Sequence, residues 1–381
     1  MTAPVALLTT NLARGGAETQ VVQLAVGLRG RGWTVSVISL LPPSAFEQEL
    51  RSSDVTVFSL GMQPGVPNPL AFIRLARILR RLRPRLLHSH MFHANVLARA
   101  VRLVCPVPVV ISTAHSVVES GRHSAGARRR EWLYRLTDWL ADRTVSVCEA
   151  GAARYAAVGA APRGKLRVIP NAVDTSRFRP DAGARVEVRR RLGIGGEFVW
   201  LAVGRLMWKK DYESMLRAFA PQPEALLLIA GAGPQEPELR GLAGELEANV
   251  RFLGLRDDVA ALMAAADAFV LSSVVEGLPV ALLEAAASGL PCVATGVGGT
   301  GEAVLHERTG YVVPPRDPAA LAAAMLRLAR LPPEERRRMS QAARAHAVER
   351  FDLNTVLDRW EQLYRELLEQ ARRFALEPGS A

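Results

Sequence analysis

Short runs of aliphatic and β-branched residues alternate with amphipathic stretches along almost the whole chain. PVALLTT is followed by a helical pattern from about Glu18 to Leu28, then by WTVSVISL and DVTVFSL. A helix near 69–82, the run RLLHSH, a helix near 93–103, VPVVISTAH, a helix near 128–140 and RTVSVCE complete the first half. Such alternation predicts parallel strands joined by crossover helices. The pattern pauses at 167–180, where VIPNAVDTSRFRP has the prolines and turn residues of a linker. It restarts with FVWLAVG, ALLLIAG, NVRFLG, AFVLSS, LPCVAT and GYVV, each followed by a helical stretch, and the last part, about 334–376, is helical without a strand. The expectation is an α/β protein with two Rossmann-like, doubly wound parallel-sheet domains, 1–170 and 171–352, and a terminal helical segment, 353–381. Sheets of this kind bind ligands beyond the carboxyl ends of their strands, so facing domains would place the main site between them.

Composition narrows the class. The 381 residues suit two domains, and 49% hydrophobic with 22% charged residues excludes a disordered chain. No stretch of about 18 apolar residues occurs, which argues against a spanning helix. The first ten residues, MTAPVALLTT, read as a strand rather than as a signal peptide. Three cysteines without a C-x-x-C spacing argue against a disulfide framework or a cysteine metal site, and for a reducing cytoplasm. Charge is unevenly spread. Residues 1–170 carry 22 basic and 9 acidic side chains, net +13, whereas residues 171–381 carry 26 and 28, net −2. Only Lys165, Lys209 and Lys210 are lysines, so a Lys-Lys pair stands out against an arginine background.

Candidate chemistry follows strand ends. Gly15 and Gly16, in RGGAE after the first strand, form a glycine turn opening a helix, fit either for a phosphate or for an ordinary tight turn. Arg205 follows FVWLAVG, with Lys209 and Lys210 just beyond; together they could neutralise a diphosphate. In SSVVEGLPVALLEAAASGLP, Glu284 sits inside a helix apolar nearly all round, and Glu276 stands eight residues earlier at its mouth. Carboxylates in that position suit hydroxyl-rich ligands; the plainer alternatives are a buried salt bridge for Glu284 and a capping role for Glu276. His88, His90, His93 and His115 cluster near two strand ends, but no carboxylate or cysteine at ligand spacing accompanies them, so no metal site is expected. A core role for His115 is as open as a site role. Gly296, Gly298 and Gly301 satisfy G-x-G-x-x-G, but late in the second sheet and without the following acid of a dinucleotide fold, so the turn is read as a neighbour of the crevice.

In this order, GGAE, HSH, TAH, VIPNAVDTSRF, VGRLMWKKD, the GAGP turn, VRFLGLRDDV, AADAFVLSS, EGLPVALLEAAASGLP and VGGTGE resemble the retaining glycosyltransferases of family 4 over nearly the whole chain. EGLPVALLE is similar to that family's E-x7-E signature, and HMFHANVLARA and YRLTDWLADR look like bacterial polysaccharide and lipopolysaccharide transferases. The resemblance implies the GT-B fold, with the terminal helix crossing back onto the N-terminal domain. It also implies a nucleotide-sugar donor, UDP- rather than GDP-linked, with no cofactor and no metal. Arg205 and Lys210 would hold the diphosphate, Glu284 the ribose and Glu276 the hydroxyls of the sugar. His115 would lie against the sugar near the acceptor, with Gly15 and Gly16 approaching the phosphates. Leu253 and Leu255 would meet the base, and backbone contacts would come from Gly277, Leu278, Val280 and Ala281, because Pro279 has no N–H. Cys148 departs from the family, which usually has serine there. Cysteine is a poor N-cap, so local stability is in question more than activity.

The implied reaction is transfer of a hexosyl group, with retention, to a glycan or lipid-linked acceptor in cell-envelope polysaccharide synthesis. The N-terminal charge, gathered at Arg74, Arg77, Arg80, Arg81, Arg83 and Arg85 and at Arg128, Arg129, Arg130 and Arg135 beside Trp132, Tyr134 and Trp139, points to peripheral contact with an anionic membrane. That places the protein in the cytoplasm at the inner face of the membrane; solvated helix surface is the bland alternative. A sugar-nucleotide epimerase of similar fold and a basic nucleic-acid-binding protein remain as rivals. The latter lacks any aromatic RNA-binding motif or helix-turn-helix pattern.

Overall fold

The computed structural model describes residues 3–66, 68–117 and 124–376. Its compact units are Met1–Pro170 with Asn354–Ala381, and Asn171–Leu353. Among the described residues the first unit holds a seven-stranded sheet and the second a six-stranded sheet.

The strands of the first unit are β1 (Val5–Thr9), β2 (Val35–Ser39), β3 (Thr56–Ser59), β4 (Leu86–His90), β5 (Val109–Ala114), β6 (Arg143–Ser146) and β7 (Leu166–Val168). All pair in parallel, in the order β3-β2-β1-β4-β5-β6-β7. The central strands β1, β2, β4 and β5 are buried along their whole length because helices cover both faces. Leu8, Ile38, Leu87 and Val110 meet Leu75, Leu79 and Ala98 of the covering helices. The helix Pro69–Leu82 shows how local chemistry sets an element: the Asn68 side chain accepts from Leu70 N at 3.0 Å, and Pro69 occupies the first turn. Ala71, Leu75, Ala76 and Leu79 form its buried face, leaving Leu70, Ile73, Arg74, Arg77 and Arg81 exposed.

The terminal helix, Leu353–Leu376, packs within this first unit. Trp33 Nε1 donates to Glu361 Oε1 at 2.6 Å, and Arg31 pairs with Asp358 and Glu361 at 2.5 and 2.8 Å. Tyr364 Oη lies 2.5 Å from His88 Nδ1. At the start of the helix Glu149–Ala157, the Cys148 thiol caps Gly151 N at 3.4 Å, and Ser146 Oγ donates to Cys148 O at 2.8 Å. The cap that the sequence put in question is therefore made, by sulfur backed by a serine hydroxyl.

In the second unit the strands are β8 (Phe198–Val203), β9 (Ala225–Ala230), β10 (Val250–Gly254), β11 (Ala268–Leu271), β12 (Cys292–Thr295) and β13 (Gly310–Val313). Their order is β10-β9-β8-β11-β12-β13, again all parallel. Trp200, Leu227, Ile229, Val270 and Val293 pack against Met325 and Leu328. In both sheets the strand order reverses once, between β1 and β4 and between β8 and β11. Ligand crevices of doubly wound sheets open beyond the strand ends at such points.

Candidate active site

The reversal in the second sheet organises most of the candidate residues. Arg205 and Lys210 follow β8, and Glu276 follows β11. Beyond β8 the chain makes a tight turn, Trp208–Lys210, and reaches Asp211 at φ 48°. The Asp211 side chain caps the next helix at Ser214 N, 3.5 Å away. The Ser272 hydroxyl lies 2.7 and 2.8 Å from the carbonyls of Lys210 and Asp211, and Val274 N donates to Lys209 O at 2.8 Å. The loops after β8 and β11 are thereby stitched into one piece.

The side chains meet as well. Lys210 Nζ is 2.6 Å from Glu276 Oε1, and Ser273 Oγ donates to the same oxygen at 2.7 Å. Glu276 does not cap the following helix, whose N-cap is Pro279. Arg205 is exposed and has no hydrogen-bond or ion-pair partner among the described residues. Lys209 stands over the Trp208 ring at 5.8 Å. Three cationic groups thus border one loop, with Lys210 restrained and Arg205 unrestrained.

The segment Glu276–Leu278 is clamped from both sides. Gly299 N donates to Gly277 O at 2.6 Å. Gly298 has φ 55°, and a Cβ there would strike the carbonyls of Glu276 and Gly277. The G-x-G-x-x-G turn therefore serves as a backing for the Glu276 loop. Opposite it, Asn171 Nδ2 donates to Leu278 O at 2.6 Å. The helix Val280–Ala287 then begins, and the N–H groups of Val280 and Ala281 have no partner inside it.

Glu284 lies one turn further on, partly buried. Among the described residues it has neither an ion pair nor a hydrogen bond, so the salt bridge that its burial suggested is not made. Burial holds its carboxyl up at about 7, only partly offset by the charge of Arg177. A carboxyl so placed gains most from a ligand that donates hydrogen bonds to it.

Leu253 and Leu255 lie at the end of β10. Gly231 N donates to Gly254 O at 2.8 Å, and Gly231, at φ 150°, packs so closely on Gly204 O that no side chain fits. This close approach locks together the loops after β8, β9 and β10, and leaves Leu255 65% exposed beside them.

Gly15, Gly16 and His115 belong to the other unit. Gly15 is the N-cap of the helix Gly16–Gly30, and the Glu18 carboxylate folds back over it. His115 stands one residue past β5, partly buried, with its Nε2 3.1 Å from His90 Nδ1. Burial lowers its pKa to about 4, so the ring is neutral near pH 7. Both nitrogens of His88 are taken, by Tyr364 and Thr113, which leaves none for a metal. Among the described residues no three His, Cys, Asp or Glu side chains gather as a metal site.

Sequence reasoning missed Asn171, Ser272, Ser273 and Arg177. Asn171 was read as linker turn chemistry. Nothing in the spacing of the others tells that Ser272 reaches the loop after β8, that Ser273 holds Glu276, or that Arg177 lies close enough to Glu284 to act on its charge.

Two family models match the chain: "Glycosyltransferase Family 4" over residues 14–177 and "Glycosyl transferases group 1" over residues 185–346. The glycogen synthase of Mycobacterium tuberculosis is 31% identical, over 92% of this chain and 91% of its own. A GDP-mannose-dependent alpha-(1-6)-phosphatidylinositol monomannoside mannosyltransferase of the same organism is 29% identical, over 84% and 88%. Among solved structures, Anabaena HepE in complex with UDP superposes with a TM-score of 0.84 at 21% identity, covering 96% of this chain and all of the other.

Proposed function

The chain belongs to glycosyltransferase family 4, and from that premise we propose that it moves a hexosyl group with retention from a UDP-sugar to a glycan or lipid-linked acceptor. That it is a glycosyltransferase of GT-B type using nucleotide sugars follows from the family itself. The observation that carries the finer reading is the grouping at the β8/β11 reversal. Lys210 pairs with Glu276, Arg205 stands exposed earlier on the same loop after β8, and Glu284 stands unpaired within the following helix.

Each residue then has a task. Arg205 and Lys210, with the open N–H groups of Val280 and Ala281, neutralise the diphosphate and the charge that grows on it as it leaves. Glu284 accepts from the ribose hydroxyls. Glu276 orients the sugar through its hydroxyls, and Leu253 and Leu255 offer an apolar surface to the base. Backbone groups of Gly277 and Leu278 lie on the same clamped loop. We assign to Gly15 and Gly16 an approach to the phosphates, and to His115 a hydroxyl of the transferred sugar. The Glu276 carboxylate, engaged by Lys210 and Ser273, is a poor nucleophile for a double displacement. We therefore assign a front-face course. The bond from the anomeric carbon to the diphosphate oxygen breaks, the acceptor oxygen bonds on the same face, and its proton passes to the leaving phosphate. No metal enters this scheme, because Arg205 and Lys210 supply the positive charge.

The acceptor is proposed to be met at an anionic membrane. No helix among the described residues is long and apolar enough to cross one. Trp132, Leu136 and Trp139 are instead exposed on the first unit, at 58%, 49% and 67%, beside the exposed Arg128, Arg129 and Arg135. Tyr134 alone of the three aromatics is buried. The mannosyltransferase relative acts, by its name, on a phosphatidylinositol glycolipid, which favours a lipid-linked acceptor over free glycan. Incubation with UDP- and GDP-hexoses, an anionic vesicle carrying a lipid-linked sugar, and product analysis tests the reading. A glycoside formed from a UDP-sugar supports it. A changed nucleotide-sugar without glycoside would assign an epimerase instead.

A further inference from the structure

We propose that His90 is a positioning residue for His115, so that the two imidazoles work as one unit; this rests on the role assigned above to His115. The two rings come from neighbouring strand ends: His90 closes β4, and His115 follows β5. In the sheet His90 pairs with Thr113, which brings the two side chains together across 25 residues of sequence. His90 Nδ1 and His115 Nε2 are 3.1 Å apart.

The outer nitrogens of the pair, His90 Nε2 and His115 Nδ1, are buried and have no partner among the described residues. Buried polar atoms are almost always satisfied, so two orphans on one hydrogen-bonded couple mark a place where a ligand is expected. Burial keeps both rings neutral. Two neutral imidazoles that share one hydrogen leave opposite characters at their outer nitrogens. If His90 donates, His115 offers an N–H at Nδ1 and His90 a lone pair at Nε2. If His115 donates, the characters are reversed. His90 therefore fixes both the ring orientation of His115 and whether it donates to or accepts from a hydroxyl.

His90 is itself held. The His88 ring lies against it, tilted by 40° with centroids 4.0 Å apart, and His88 is fixed by Tyr364 and Thr113 and flanked by Trp360 at 4.6 Å. The terminal helix thus supports the pair through His88.

The test uses the full chain with three substitutions of His90. An asparagine amide reaches about as far as ring Nδ1, so His90→Asn keeps the bond to His115. A glutamine amide reaches the Nε2 position, so His90→Gln does not, nor does His90→Leu. Proton–nitrogen correlation of the imidazoles reads the tautomer of His115 directly, without substrate. We expect a single His115 tautomer in the wild type and in His90→Asn, and averaged tautomers in the other two. With UDP-glucose and the other UDP-hexoses as probe donors, kcat should fall about 10–100-fold in His90→Gln and His90→Leu, with donor KM little changed. His90→Asn should recover most of the loss. If Gln and Asn behave alike, or if His115 keeps one tautomer in His90→Gln, the inference is overturned. His115→Ala separates the two claims. Wild-type turnover in that variant contradicts the role of His115, while the imidazole spectra still decide whether His90 positions it.

Discussion

Lys210 Nζ and Glu276 Oε1 stand 2.6 Å apart, joining the residue that follows β8 to the one that follows β11. These two charges neutralise one another, and a diphosphate would compete with Glu276 for the ammonium. Lys210→Ala and Arg205→Ala should each lower kcat/KM for the donor. A hydrogen bond to a charged group contributes about 1.5–3 kcal/mol, on the order of 10 to 150-fold. The double variant Lys210→Ala/Glu276→Gln should lose less than the product of the single effects, because each single change strands a half-buried charge. Steady-state kinetics of the four proteins checks this; strict additivity would mean that the pair is not coupled.

Glu276→Gln should reduce kcat while leaving the melting temperature nearly unchanged, since the loop is also clamped by Asn171 and by the Gly298–Gly299 turn. Asn171→Ala removes one clamp and leaves Leu278 O, buried, without its donor, at a cost of about 1–3 kcal/mol. Thermal unfolding beside activity distinguishes the two: a large drop in melting temperature for Glu276→Gln would make its role structural.

Donor affinity should depend on pH through Glu284. Its carboxyl, held at about 7 by burial, must be ionised to accept two ribose hydroxyls well. Affinity should therefore be constant above pH 8 and weaken as the pH falls below 7, approaching tenfold per unit. UDP-glucose suits the calorimetric titration because its diphosphate does not titrate in this range. Glu284→Gln should bind more weakly and show no such slope. A wild-type affinity that is flat from pH 8 to 6 would contradict the assignment.

The histidines give stability a pH dependence in the same direction, declining as the pH falls. Burial lowers the pKa of His88, His90 and His115, the last to about 4 against an ordinary 6.5. Unfolding lets them take up protons, so their contribution is full above about 6.5 and declines as the pH falls towards 4. For His115 alone the loss is roughly 3 kcal/mol across that window. Amide hydrogen exchange of β4 and β5 should be faster, relative to intrinsic rates, at pH 5 than at pH 7.5. Equal protection at both would show that these rings titrate normally.

Vesicle binding tests the membrane proposal. Co-sedimentation should rise with the fraction of anionic lipid and fall with salt. It should weaken when Arg128 and Arg129 become glutamine, and also in Trp132→Ala/Trp139→Ala, whose side chains are exposed and so dispensable for folding. Equal binding to neutral and anionic vesicles would remove the charge argument.

Local signals made much of the architecture readable. The alternating runs gave the strand succession, and the helical stretch expected near 69–82 is the helix Pro69–Leu82. The candidate loops were readable because they follow strands. What the chain order conceals is which loops touch. Asn171 meets Leu278 across 107 residues, and His90 meets His115 across 25, through sheet order and not through spacing. The partial charge balance of Glu284 was likewise hidden, since a lone acid in an apolar helix reads equally as a salt bridge or a ligand. The exposure of Trp132 and Trp139 against the burial of Tyr134 depends on which helix face meets the sheet, and aromatic content does not tell it.

The most direct test of the central claim is proton NMR of the product formed from α-configured UDP-hexoses and a lipid-linked sugar in anionic vesicles. The account predicts a new glycoside whose anomeric proton shows the small coupling of an α linkage, formed equally with EDTA present. A β-linked product, or an epimerised nucleotide-sugar with no glycoside, would contradict it.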